Sequence, residues 1–90
     1  MNKVIKFGAT WCGPCQAMKP HFEKFQESVK NEDVEVLDLD VDEHHEEAAN
    51  YGVRSIPFTI FIKDNKVTDS YRGSVTTTKL LETFNRVYKN

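Results

Sequence analysis

Apolar residues recur along this chain in two periods, and the switches between them mark out the elements. Val4-Ile5-Lys6-Phe7-Gly8-Ala9 is short and β-branched, bounded by Gly8 and Thr10, and predicts a first strand. From about Gly13 the period lengthens: Met18, Phe22, Phe25 and Val29 fall at i, i+4, i+7 and i+11, one face of a helix. Pro14 suits the first turn of that helix, where a backbone N–H has no partner anyway. Pro20 lies inside it and should kink it, at a cost that packing must offset. Val34 to Val41 is read as a second strand, with Leu37, Leu39 and Val41 alternating against Asp38, Asp40 and Asp42. Glu43 to Tyr51 follows as a short helix that Gly52 stops. Pro57 to Ile62 is nearly all apolar or β-branched, the mark of an interior strand covered on both faces. Asp64-Asn65 reads as a two-residue hairpin turn into a last strand, Val67 to Arg72, which Gly73 ends. Thr76 can cap a final helix carrying Leu80, Leu81, Phe84, Val87 and Tyr88 on one face.

The resulting order, βαβαββα, predicts an α/β domain with a mixed four-stranded sheet flanked by helices. The first two strands should be parallel through a right-handed crossover, and the last two an antiparallel hairpin. No repeat, low-complexity tract or Pro/Gly-rich linker interrupts the chain, so residues 1–90 are read as one domain.

Composition narrows the function classes. With 39% apolar and 11% aromatic residues in 90, the chain can fill one core. Folded, it should expose roughly 5,400 Å² of the roughly 15,000 Å² accessible when unfolded. A net charge of −2 argues against a nucleic-acid binder, which would need a basic excess or stripe. No apolar run approaches the roughly 20 residues of a membrane span, and mean hydropathy is −0.56. The N-terminus is too briefly apolar for a signal peptide, so a cytoplasmic location is expected.

Two cysteines are too few for the disulfide framework of a small secreted domain. Cys12 and Cys15 are also too close to be a strong staple, since so short a loop is worth about 2 kcal/mol in the chain-entropy model. In a first helical turn, however, i and i+3 share a face at near-disulfide spacing. Cys12 would stand at the helix N-terminus, where free N–H groups and the macrodipole favour a thiolate. Cys15, one turn in, should be less exposed and more basic. Those roles suit attack on a disulfide by Cys12 and resolution by Cys15. Two other readings of the pair are buried core cysteines and half of a zinc site completed by His21, His44 or His45. Adjacent histidines on a helix diverge by about 100°, which weakens the zinc reading. Nor do Asp38, Asp40 and Asp42 make a calcium loop, because Glu43 and Ala49 fall where a glycine and a glutamate are needed.

Trp11-Cys12-Gly13-Pro14-Cys15 resembles the active-site motif of thioredoxins. Phe7 before it and Pro20 after it match the family, as do Tyr51-Gly52-Val53-Arg54-Ser55-Ile56-Pro57 and Gly73. The likeness spans the chain but lacks the family's first strand and helix, leaving the second strand as a sheet edge. The resemblance implies the thioredoxin fold and reduction of disulfide-containing proteins, with a thioredoxin reductase or glutathione as electron donor. It implies no bound cofactor or metal, and the expected state is a monomer. It makes Pro57 a cis-proline facing the sulfurs. It also places Trp11, Gly13, Pro14, Ile56, Pro57, Gly73 and Ser74 on a shallow docking face, although Trp11 by itself could equally be core. A glutathione-linked reductase and a non-catalytic binding module on the same fold are the alternatives.

Two positions depart from the family. Where it carries a buried Asp six residues before the first cysteine, this chain has Lys6, and Asp38 falls where the partner Lys would be. An exchanged pair is expected, with Asp38 managing the proton of Cys15 and Lys6 favouring thiolates; the alternative is that both simply reach solvent. Phe58 replaces the common Thr after the proline, adding bulk either beside the sulfurs or in the core.

Overall fold

The computed structural model describes residues 1–89. Seven elements follow the anticipated order: β1 (Lys3–Gly8), α1 (Gly13–Val29), β2 (Glu35–Asp40), α2 (His45–Asn50), β3 (Phe58–Lys63), β4 (Lys66–Arg72) and α3 (Thr77–Tyr88). Boundaries moved by a residue or two. Val41 and Glu43 lie in the turn before α2 rather than in an element, because their backbone amides bond Gly8 and Asp40 carbonyls.

The sheet runs β2-β1-β3-β4. β1 pairs in parallel with β2, and antiparallel pairs join β1 to β3 and β3 to β4. β2 is therefore an edge, and β1 and β3 are central. Asp64 and Asn65 both take positive φ, 53° and 70°, which a two-residue hairpin turn of the right twist requires. A register shift at Phe61/Ile62, against Asp69 and Val67, leaves Thr68 as an extra residue in β4. No local signal in the strand announces it.

Two apolar layers clamp the sheet. On one face Val4 and Phe61 pack with Met18, Phe22, Phe25 and Val29 of α1 and Leu80, Phe84 and Val87 of α3. On the other, Ile5, Phe7, Phe58, Ile60 and Ile62 pack with Leu37, Leu39, Val41 and Ala48. Phe58 belongs to this core, which settles where its bulk goes. α1 continues through Pro20, which is exposed, so its missing N–H leaves only an exposed-side carbonyl to water. The Thr76 hydroxyl accepts from the Lys79 amide at 3.2 Å and caps α3. The accessible surface is 5492 Å², close to the value expected for a folded chain of this mass.

Candidate functional site

The sulfurs sit where β1 hands over to α1. Cys12 is the N-cap of α1 in extended conformation, and its Sγ accepts from the Cys15 amide at 3.2 Å. That bond satisfies one of the free N–H groups of the first turn and holds the sulfur against the positive end of the helix. Gly13 and Pro14 complete the turn, and Cys15 is bridged to Cys12 with their Cα atoms 5.3 Å apart. Both cysteines are buried, Cys12 at 6% and Cys15 at 3% exposure, so the difference in access between them is smaller than their positions on the helix suggested. They pack on Ala9, with Val41 and Ile56 alongside. Gly8 makes the fit possible: a Cβ there would lie 3.3 Å from the Cys15 Sγ.

The Ile56–Pro57 bond is cis, and the Ile56 carbonyl oxygen lies 3.8 Å from the Cys12 Sγ, within reach of a thiol donor. The Pro57 carbonyl accepts from the Gly73 amide at 2.8 Å, which ties the Gly73–Ser74 turn to the cis-proline loop. Gly73 takes φ +90°, a conformation costly for any residue with a Cβ. Of the residues expected on a docking face, Trp11, Gly13, Pro14 and Ser74 are exposed, and Ile56 and Gly73 are half-buried. The Pro57 ring is the exception, being buried at the start of a central strand. Its backbone is no more open, since proline has no N–H and the carbonyl is taken by the Gly73 amide.

Trp11 is 68% exposed and is not core. Its indole N–H donates to Asp42 Oδ2 at 2.9 Å, which pins the ring beside the cysteines. Asp42 was missed as a site residue: in the sequence it reads as one more solvated acid, and its partner is 31 positions away. Gln16 donates to the Thr10 carbonyl at 2.6 Å and fastens the loop leading into the motif. His21, one candidate metal ligand, accepts from the Thr77 amide at 3.3 Å and joins α1 to α3 instead.

Behind the disulfide a groove of about 530 Å³ runs between α1 and the β2 edge, lined by Lys6, Cys15, Lys19, Asp38 and Asp40 among others. The expected Lys6–Asp38 pair is present, at 3.3 Å to Oδ1. The reading in which both residues reach solvent fails for Lys6, whose side chain is 5% exposed against 37% for Asp38. A depression of similar volume near Asn2, Glu32 and Asp64 holds no cysteine or histidine.

A bridged cysteine pair capping a helix, facing a cis-proline loop and an exposed tryptophan, defines a thiol–disulfide oxidoreductase site. Comparison with known proteins agrees with the geometry. The family model described as Thioredoxin matches residues 1–86, and the chain belongs to the thioredoxin family. Thioredoxin of Listeria monocytogenes is 38% identical over 83 residues, 92% of this chain and 80% of that protein. Thioredoxin Asp f 29 of Aspergillus fumigatus is 37% identical over 71 residues, 79% of this chain but 64% of that longer protein. Among solved structures, Fasciola hepatica thioredoxin superposes with a TM-score of 0.82 at 40% identity, covering 94% of this chain and 79% of its own. A chain from a structural study of thiol resolution in yeast mitochondrial 1-Cys peroxiredoxin via glutathione/thioredoxin systems gives 0.81 at 32% identity, covering 94% and 77%.

Proposed function

We propose that this chain is a reductant of protein disulfides, with Cys12 as the attacking thiolate and Cys15 as the resolving one. The observation that carries the assignment is the Cys12 sulfur at the N-cap of α1, accepting the Cys15 amide at 3.2 Å. A thiolate there keeps that hydrogen bond and gains the helix field, both of which favour the charged form of the sulfur. In the first step the Cys12 thiolate attacks one sulfur of a substrate disulfide, forming a mixed disulfide and expelling one substrate thiolate. Cys15, deprotonated, then attacks the Cys12 Sγ, re-forming the Cys12–Cys15 bond and expelling the second thiolate. Two electrons pass to the substrate, and each expelled thiolate takes up a proton from solvent.

Substrate docks on the face made by Trp11, Gly13, Pro14, Ile56, Gly73 and Ser74, with the buried Pro57 supporting the loop behind it. That face is small and weakly charged, which favours flexible segments of many sequences over one complementary partner. Thioredoxin reductase is the proposed electron donor, since pairs of this type lie at about −270 mV and favour reduction of substrates. A reducing compartment such as the cytoplasm suits that direction of electron flow. In this reading the chain acts as a monomer.

The deciding experiment is turnover of a protein disulfide with NADPH and thioredoxin reductase, set against glutathione and its reductase. Turnover with the first system alone is expected. Turnover only with glutathione would reassign the donor, and no turnover with either or with dithiothreitol would sink the enzymatic reading. A Cys12→Ser/Cys15→Ser protein should be inactive.

A further inference from the structure

The sheet has two edges, and they are guarded differently. β4 carries the register shift at Phe61/Ile62 and a cationic residue at each end, Lys66 and Arg72, devices that discourage another strand from pairing. β2 has neither: Glu35–Asp40 runs in unbroken register against Lys3–Gly8. The Glu35 amide donates to the Asn2 carbonyl at 3.1 Å, and the Val41 amide to the Gly8 carbonyl at 2.9 Å. Alternation along a parallel ladder therefore turns the odd-numbered residues of β2 toward β1 and points the backbone of Val36, Asp38 and Asp40 outward. The Asp40 carbonyl is taken by the amides of Glu43 and His44. That leaves both backbone groups of Val36 and Asp38, and the Asp40 amide, without a strand partner. The side chains are equally unfinished. Val36 is half-buried against the α1 layer, and Leu37 and Leu39 are half-buried against the opposite one.

We infer that β2 is a docking edge for an extended segment of another protein, one that alternates lysine or arginine with apolar residues and joins the sheet as a fifth strand. Charge selects the occupant. Residues 32–43 contain seven carboxylates and no lysine, arginine or histidine. Lys3 reaches Glu35 at 3.8 Å and Lys6 reaches Asp38 at 3.3 Å, but Asp33 and Asp40 have no ion pair among the described residues. Asp38 and Asp40 lie on the α1 side of the strand with Val36, as the register of Asp38 with Lys6 and of Val36 with Val4 requires. Basic residues at alternate positions of the incoming segment face those two carboxylates, and the apolar residues between them cover Leu37 and Leu39. A second copy is the wrong partner. Antiparallel pairing of two β2 strands about Asp38 sets that carboxylate against its own copy, and like charges directly opposite are destabilising. A strand of six residues gives an edge about 20 Å long, which suits a segment of similar length. The edge includes none of the residues of the docking face beside the sulfurs, so it does not depend on the redox chemistry.

The test uses an end-capped peptide alternating valine with lysine, and a control in which glutamate replaces every lysine. Titrated into the protein, the lysine peptide should slow hydrogen exchange at the Val36 and Asp38 amides and leave β4 unchanged. The glutamate peptide should bind about tenfold more weakly, and added salt should narrow that gap. Val36→Pro removes one outward amide without touching the ladder to β1, and should weaken the lysine peptide about tenfold in a chain that stays folded. Should that variant fail to fold, Asp38→Asn/Asp40→Asn takes its place, with a similar loss expected. The Cys12→Ser/Cys15→Ser protein should bind the peptide as tightly as the parent. No saturable binding, equal affinity for the two peptides, or protection of β4 in place of β2 would overturn the docking edge. So would loss of binding in the double-serine protein, which would put the peptide at the sulfurs. Protection of Val36 and Asp38 with no peptide present, together with a dimer in sedimentation, would overturn it as well and give β2 to a second copy.

Discussion

At position 59 the central strand β3 buries a hydroxyl: Thr59 Oγ1 has no hydrogen-bond partner among the described residues. An unpaired buried polar atom costs about 1–3 kcal/mol, and an isosteric apolar replacement removes the cost. Thr59→Val keeps shape and β-branching, so it should raise stability by about 1 kcal/mol, read as a melting temperature roughly 4–8 °C higher. An unchanged or lower value would mean that the hydroxyl is satisfied. Residue identity alone could not flag Thr59, since a threonine in an apolar strand looks like a good β-former. Its isolation follows from lying in register between Lys6 and Tyr71, whose own hydroxyl is taken by Thr83 at 2.6 Å. The cysteines were legible for the opposite reason. Spacing, N-cap position and the strand before them are all local, and each is written within a few residues.

Elements meet at hydroxyl tethers that periodicity does not encode. Tyr88 was read as part of the apolar face of α3, and its ring does pack on Phe84, with centroids 4.9 Å apart. Its hydroxyl also shares one proton between the Lys3 carbonyl, at 2.9 Å, and the Ile62 carbonyl, at 2.8 Å, tying α3 to both central strands. Burial pushes its pKa up, to about 12. An unfolded tyrosine ionises near pH 10, so below that value both states hold the proton and Tyr88 contributes fully. As pH rises from about 10 through about 12 the unfolded chain ionises first, and the contribution is lost. Tyr88→Phe should cost about 1 kcal/mol at neutral pH. In urea titrations, the gap between parent and variant should close between pH 10 and 12; a constant gap would contradict the tether. Other contacts between elements were readable. The hairpin needed only Asp64-Asn65, and the cap of α3 only Thr76, because each device acts within four residues.

For the whole molecule, the Cys12–Cys15 bond is the one cross-link in a 90-residue chain with two cysteines. A loop that short restricts the unfolded chain by about 2 kcal/mol. The oxidised protein should therefore melt roughly 10 °C above the dithiol form, by the usual size scaling, and calorimetry on the two forms would show it. Equal melting temperatures would mean that the cross-link adds nothing net to stability. The radius of gyration is 12.1 Å, that of a compactly folded chain of this length, for which about 12 Å is expected.

The sequence by itself determined the elements, the pairing sense of the strands, the caps and turn, and the reactive dithiol, because short-range periodicity and stereochemistry suffice for each. Tertiary structure decided which residues share a face at a distance. It set Trp11 against Asp42, turned Phe58 into the core and buried the Pro57 ring. It also assigned the two halves of the exchanged pair to opposite environments. Lys6 is enclosed because β1 is central, and Asp38 stays wet because β2 is an edge. Sheet order is a property of long-range packing, and no local pattern of apolar and polar positions contains it.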